Sequence, residues 1–120
     1  MSDQVDTEAA RQAFANEIRK SDFIPNSAEI SIQPAIGEAA AFHCRWPLLE
    51  KTWNYSREIT VMVTSDAIKR FRLAEARERG AILTQFVRIL NVRLLDGQYY
   101  EKEPPSPPFL IHIDEHSLEP

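Results

Sequence analysis

The chain of 120 residues carries a formal net charge of −4, a hydrophobic fraction of 43%, a charged fraction of 27% and a single cysteine. That length holds one domain, and the composition is that of an ordinary globular protein, which excludes disorder of the whole chain. No apolar run approaches the roughly 18 residues that cross a bilayer, the start MSDQVDTEAARQ lacks the basic and apolar parts of a secretion signal, and Cys44 alone forms no internal disulfide, so the expectation is a cytoplasmic protein with no membrane partner.

The charge is unevenly spread. Between Ser65 and Leu95 the bases Lys69, Arg70, Arg72, Arg77, Arg79, Arg88 and Arg93 outnumber the acids Asp66, Glu75 and Glu78, whereas from Asp96 to Pro120 Lys102 is the sole base among acids. Either the tail neutralises the helical region within the fold, or a basic surface is offered to an acidic partner.

Thr7 to Lys20 is predicted as the first helix, with Thr7 as N-cap and Ala10, Phe14 and Ile18 along one face. Ser21-Asp22 and Pro25-Asn26 end it, and Phe23 and Ile24 fill the seam toward the sheet. Three strands with apolar alternation follow. Ala28 to Gln33 presents Ile30 and Ile32 on one side; Ala40 to Trp46 turns Phe42, Cys44 and Trp46 inward; Glu58 to Thr64 does the same with Ile59, Val61 and Val63, leaving Thr60 and Met62 outward. One apolar and one mixed face predict an antiparallel meander. Gly37-Glu38 lies in its first turn, and Pro47 to Arg57 is a longer connection whose Trp53 and Tyr55 fold back over the sheet edge.

Ser65-Asp66 caps the next helix, with Ile68 and Phe71 as its apolar stripe. One helix from Asp66 to Leu95 would run about 45 Å at 1.5 Å per residue, too long for this domain to cover. The weakly apolar stretch Leu73 to Gly80 therefore marks a break at about Glu75. Ala81 to Leu95 is the most apolar helical pattern: Ile82, Leu83, Phe86, Val87, Ile89, Leu90 and Leu94 leave only a narrow polar strip of Thr84, Gln85, Arg88 and Asn91. Such a helix needs cover on both flanks, from its own chain or from a partner, before Asp96-Gly97 stops it. Gln98 to Lys102 holds Tyr99 and Tyr100, the proline-rich residues 103–108 form a stiff strap, and Phe109 to Asp114 is the last strand. Residues 1–6 and 117–120 are expected to fray.

These elements predict one α+β domain over 1–120: a three- to four-stranded, mainly antiparallel sheet with helices packed on one face, in the order α-β-β-β-α-α-β. Chemistry is sparse. His112, Asp114 and His116 alternate onto one strand face, where two imidazoles and a carboxylate suit zinc or non-haem iron, yet three ligands near a chain end are a weak metal motif. His43 and Cys44, adjacent on a strand, face opposite ways and form no pair. Gly37, Gly80 and Gly97 write neither a phosphate loop nor a dinucleotide fingerprint, so no cofactor is expected and catalysis is the weaker reading. Nucleic acid binding through the basic helical region 69–93, carried by Lys69, Arg70, Arg72, Arg77 and Arg79, is the runner-up, against the acidic total charge. The leading expectation is a non-catalytic protein-interaction or assembly module, including self-association as a homodimer through the long helix or an unpaired strand edge, with Trp53, Met62, Tyr99 and Tyr100 as interface candidates.

The stretches REITVMVTSDAIKRF and VRLLDGQYYEKEPPSPPFLIHIDEHSLEP resemble small β-proteobacterial proteins of unknown function. The resemblance implies a bacterial cytosolic protein and carries over no functional residue.

Overall fold

A computed structural model describes residues 6–34, 36–48, 51–55, 58–95 and 108–119. The chain opens with α1 (Thr7–Ile18), then β1 (Glu29–Pro34) and β2 (Ala40–Arg45), a hairpin of β3 (Pro47–Leu48) and β4 (Lys51–Tyr55), then β5 (Ile59–Val63), α2 (Ser65–Leu73), α3 (Ala76–Leu94) and β6 (Phe109–Ile113). The main sheet has the order β1-β2-β5-β6. Its first three strands are the expected antiparallel meander, while β6 lies parallel to β5, in register from Ile59 opposite Phe109 to Val63 opposite Ile113. A parallel neighbour requires a long crossover, and α2 and α3 make that return. The hairpin corrects the expected plain connection from Pro47 to Arg57: β3 and β4 pair as a separate two-stranded sheet.

Helix starts depart from expectation by one residue. Asp6, not Thr7, caps α1, its carboxylate accepting the Ala9 N–H at 2.7 Å, where a full negative charge also meets the positive end of the helix dipole. Thr64 caps α2 by accepting from the Ala67 N–H at 3.2 Å, while the Ser65 hydroxyl donates to the Ile36 carbonyl instead. The break before α3 falls where expected: Ala74 turns extended (φ −76°, ψ 154°), and the Arg79 guanidinium reaches back to its carbonyl. Gly80 lies inside α3 with open space around it.

The core fills the gap between the helices and one sheet face. Phe42, Cys44, Ile59, Val61, Val63, Ile111 and Ile113 enter from the sheet, as alternation requires. Phe14 of α1 holds the helices together: its ring meets Phe71 of α2 at 5.1 Å and Phe86 of α3 at 4.9 Å, edge-on to the latter. Between α1 and α3, Asn91 accepts from the Ser21 hydroxyl at 2.7 Å and the Asp22 N–H at 3.1 Å.

Two expectations are corrected by this packing. The helix from Ala81 is not wrapped all round: Ile82, Phe86, Leu90 and Leu94 form one fully buried stripe, Leu83 and Ile89 flank it half-buried, and Val92 and Leu95 are 63% and 69% exposed. One flank of the domain covers it, since the i, i+4 stripe alone delivers the core contact. At the other end of the chain, residues 117–119 do not fray. The chain turns at Asp114, whose carboxylate accepts from the Ser117 N–H at 2.8 Å and hydroxyl at 2.9 Å, and Leu118 enters the core.

Candidate protein interface at the sheet edge

The two edges of the main sheet differ. At β6, the Arg93 guanidinium of α3 donates to the Leu110 carbonyl at 3.1 Å and lies 5.5 Å from the centre of the Phe109 ring. A charge placed on an edge carbonyl obstructs pairing by a further strand.

At β1 the outward direction of the backbone follows from hydrogen bonds at the opposite side of the sheet. The Phe109 N–H donates to the Glu58 carbonyl at 2.7 Å, and the Thr64 N–H to the Ile113 carbonyl at 3.0 Å. In a sheet, successive residues direct their backbone groups alternately to opposite neighbours, so Glu58, Thr60, Met62 and Thr64 address β6 and Ile59, Val61 and Val63 address β2. Their partners across the ladder, Cys44, Phe42 and Ala40, therefore address β5, and Ala41, His43 and Arg45 address β1. These pair with Gln33, Ser31 and Glu29, which leaves the N–H and C=O of Ile30 and Ile32 pointing away from β2, to a side where no strand pairs among the described residues. Pro34 falls in the same outward set, the place where a missing N–H costs no ladder bond.

A groove of about 420 Å³ runs along this edge. Its floor is Ile30, Ile32, Pro34 and Ala15, and its wall is Glu8, Gln12, Asn16 and Arg19 of α1. The wall residues lie at helical spacing on the side of α1 away from Ala10, Phe14 and Ile18. The helix lies antiparallel to β1, because Arg19 donates to the Ala28 carbonyl at 3.0 Å at the start of the strand, whereas Arg11 donates to the Gly37 carbonyl at 3.1 Å beyond its end. Gly37 at φ +68° supplies the left-handed turn that carries this anchor. The groove thus has an acidic end at Glu8, whose side chain is 68% exposed, and a basic end at Arg19.

Strand addition uses an edge of this chemistry, with backbone donors and acceptors directed outward and room beside them for alternate side chains. Both isoleucines are only half-buried and pack against the core from its margin.

The residues singled out from sequence are distributed otherwise. Met62 lies on the sheet face opposite the helices, 36% exposed, and Leu110 is exposed on the same face. Trp53 falls in β4, its side chain outside the described part of the structure, and Tyr99 and Tyr100 lie outside the described residues, as does the strap at 103–107. Of the basic candidates, Arg70 meets Glu78 and Glu119, Arg72 meets Glu38 at 2.7 Å, and Arg79 serves the Ala74 carbonyl, so three of the five are engaged within the fold. Lys69 and Arg77 are exposed. The neutralising alternative for the acidic tail is therefore realised at Arg70, which also donates to the Glu115 carbonyl.

The metal candidates are engaged separately. β6 ends at Ile113, after His112; Asp114 is committed to Ser117, and the His116 ring lies 3.6 Å from Glu119. The Ser117 N–H and hydroxyl hold the Asp114 carboxyl below the usual aspartate range. Among the described residues, no group of three or more His, Cys, Asp or Glu stands close enough to share a metal ion. Cys44 and His43 face opposite sides as expected: burial pushes the Cys44 thiol up to about 12, while His43 sits on the outer face between Gln33 at 3.0 Å and Thr60 at 3.2 Å.

Sequence reasoning named an unpaired strand edge only in general terms and missed the groove. The signal was present in α1, where Glu8, Gln12, Asn16 and Arg19 form a second, polar stripe, but only the sheet order shows that the stripe overlooks an edge. No family model, curated protein or solved structure matches the chain.

Proposed function

We propose that this chain is a non-catalytic protein-interaction or assembly module that takes an extended segment of its partner along β1. The observation that carries this reading is the outward pointing of the Ile30 and Ile32 backbone groups beside the groove that these residues line together with the polar stripe of α1. Backbone pairing gives such an interface its affinity, and the pockets for alternate side chains give it its selectivity. The contrast with β6, guarded by Arg93, favours β1 as the working edge.

The test is affinity capture from cells that express the protein, with the wild-type chain and the Ile32→Lys variant as parallel baits. The variant places a charge beside the groove, at a residue that is only half-buried at the margin of the core. A protein retained by wild type and lost by the variant supports the reading. Equal retention by both removes β1 from the interface, and no retained partner together with strictly monomeric behaviour overturns the module itself.

A further inference from the structure

We infer that the occupant of the β1 edge is a second copy of this chain, joined across a two-fold axis through Ser31, with β1 antiparallel to its counterpart. This inference rests on the reading above and names its partner. The charge order along α1 and the outward residues of β1 both fit that symmetry.

An antiparallel β1 pair centred on Ser31 sets Ile30 opposite the partner's Ile32, and Ile32 opposite the partner's Ile30. Residues that exchange hydrogen bonds across an antiparallel ladder must both direct their backbone groups to the shared edge, and Ile30 and Ile32 are the residues that do. A register shifted by one residue would oppose an outward-facing residue to an inward-facing one, with neither bond made. Ser31 then meets the partner's Ser31 as a non-hydrogen-bonded pair, its own groups already given to His43. Pro34 lies beyond the paired segment, so its missing N–H takes no bond away. The isoleucines of both copies share the helix-side face, and the two grooves close over a common floor with Ala15.

The helices complete the match. Because α1 is antiparallel to β1, the two-fold axis that reverses β1 also reverses α1, and the wall of one groove faces the wall of the other. Glu8 of each copy then approaches the partner's Arg19, and Gln12 faces the partner's Ala15 and Asn16 in the middle. Isologous contact asks that one patch complement itself, and an acid and a base at opposite ends of one stripe meet that demand. The result is a continuous eight-stranded sheet with four strands from each copy.

Charge exchange between the copies tests this contact. Glu8→Lys sets two bases against each other at both ends of the dimer, and Arg19→Glu sets two acids there. In sedimentation at low salt, wild type is expected to dimerise with concentration, and each variant to dissociate about tenfold more readily. An equimolar mixture of the two variants restores opposite charges at both ends, so it should recover the wild-type dimer. Because Arg19 also holds the Ala28 carbonyl, a variant independent of charge completes the test. Ser31→Cys lies on the axis, where non-hydrogen-bonded neighbours stand about 4.5 Å apart, within disulfide reach, and mild oxidation should link two copies while the buried Cys44 stays free.

A mixture no better than either variant, or an unlinked Ser31→Cys chain at concentrations where wild type dimerises, overturns the pairing. A wild-type chain that stays monomeric at every concentration overturns the second copy as occupant. Capture of a different protein, sensitive to Ile32→Lys, still upholds the module, so the two readings fail separately.

Discussion

Replacing Phe14 by alanine tests the packing that positions the groove wall. Its ring is wholly buried and makes both aromatic contacts that join α1 to α2 and α3. Truncating a buried phenylalanine costs about 3–5 kcal/mol, and the loss of two ring pairs, each contributing about 0.5–1.5 kcal/mol, places this site in the upper part of that range. A domain stability of about 5–15 kcal/mol leaves the variant marginal. With a urea slope of about 2 kcal/mol per molar, the midpoint should fall by about 2 M in a circular dichroism melt. Phe14→Leu keeps an apolar filling and should lose only about 1–2 kcal/mol. A loss below about 1 kcal/mol for Phe14→Ala would refute the reasoning, because α1 would then be held by something other than this cluster.

Other predictions follow from single contacts. Cys44, with its thiol pushed up to about 12, should stay unreactive toward a disulfide reagent at pH 8 until the protein unfolds; rapid labelling of the native chain would contradict its burial. Asp114 should titrate below an ordinary aspartate in an NMR titration, and Ser117→Ala should raise it, since the Ser117 N–H and hydroxyl favour the charged form. A depressed folded pKa contributes stability that is present above the ordinary aspartate range and is lost as pH falls through the folded value, so the acid limb of stability should flatten in Asp114→Asn. Thr64→Ala removes the α2 cap and should cost about 1 kcal/mol in the same melts, with Ser65→Ala costing less; the reverse order would restore Ser65 as the cap.

The strands were legible because alternation is a local property: Phe42, Cys44, Ile59, Val61, Val63, Ile111 and Ile113 sit where period two puts them. The break near Glu75 was legible for a similar reason, since residues 73–80 offer little to bury. The direction of β6 was not, because FLIHI alternates identically whether its neighbour is parallel or antiparallel. Overcounting on α3 has a geometric cause. A window sums Leu83, Val87 and Ile89 with Ile82, Phe86, Leu90 and Leu94, but their angles around the helix leave the first three half-buried beside the core stripe.

The candidate site needed more than local pattern. Alternation puts Ile30 and Ile32 on one side of β1, but that they are half-buried follows from β1 being an edge, which only the sheet order determines. Likewise the basic stretch read as a surface, while its partners Glu38 and Glu119 come from remote parts of the chain. The polar stripe of α1 acquires meaning only when its antiparallel placement on β1 is known.

Amide hydrogen exchange along β1, measured by NMR on dilute and concentrated samples, tests the outward edge most directly. In the dilute sample Ser31 and Gln33, which donate to β2, should be protected, and Ile30 and Ile32 should exchange quickly; on concentration the two isoleucines should become protected while their neighbours change little. Equal, concentration-independent protection of Ile30 and Ile32 would mean that this edge is already covered in the lone chain, and it would contradict the account.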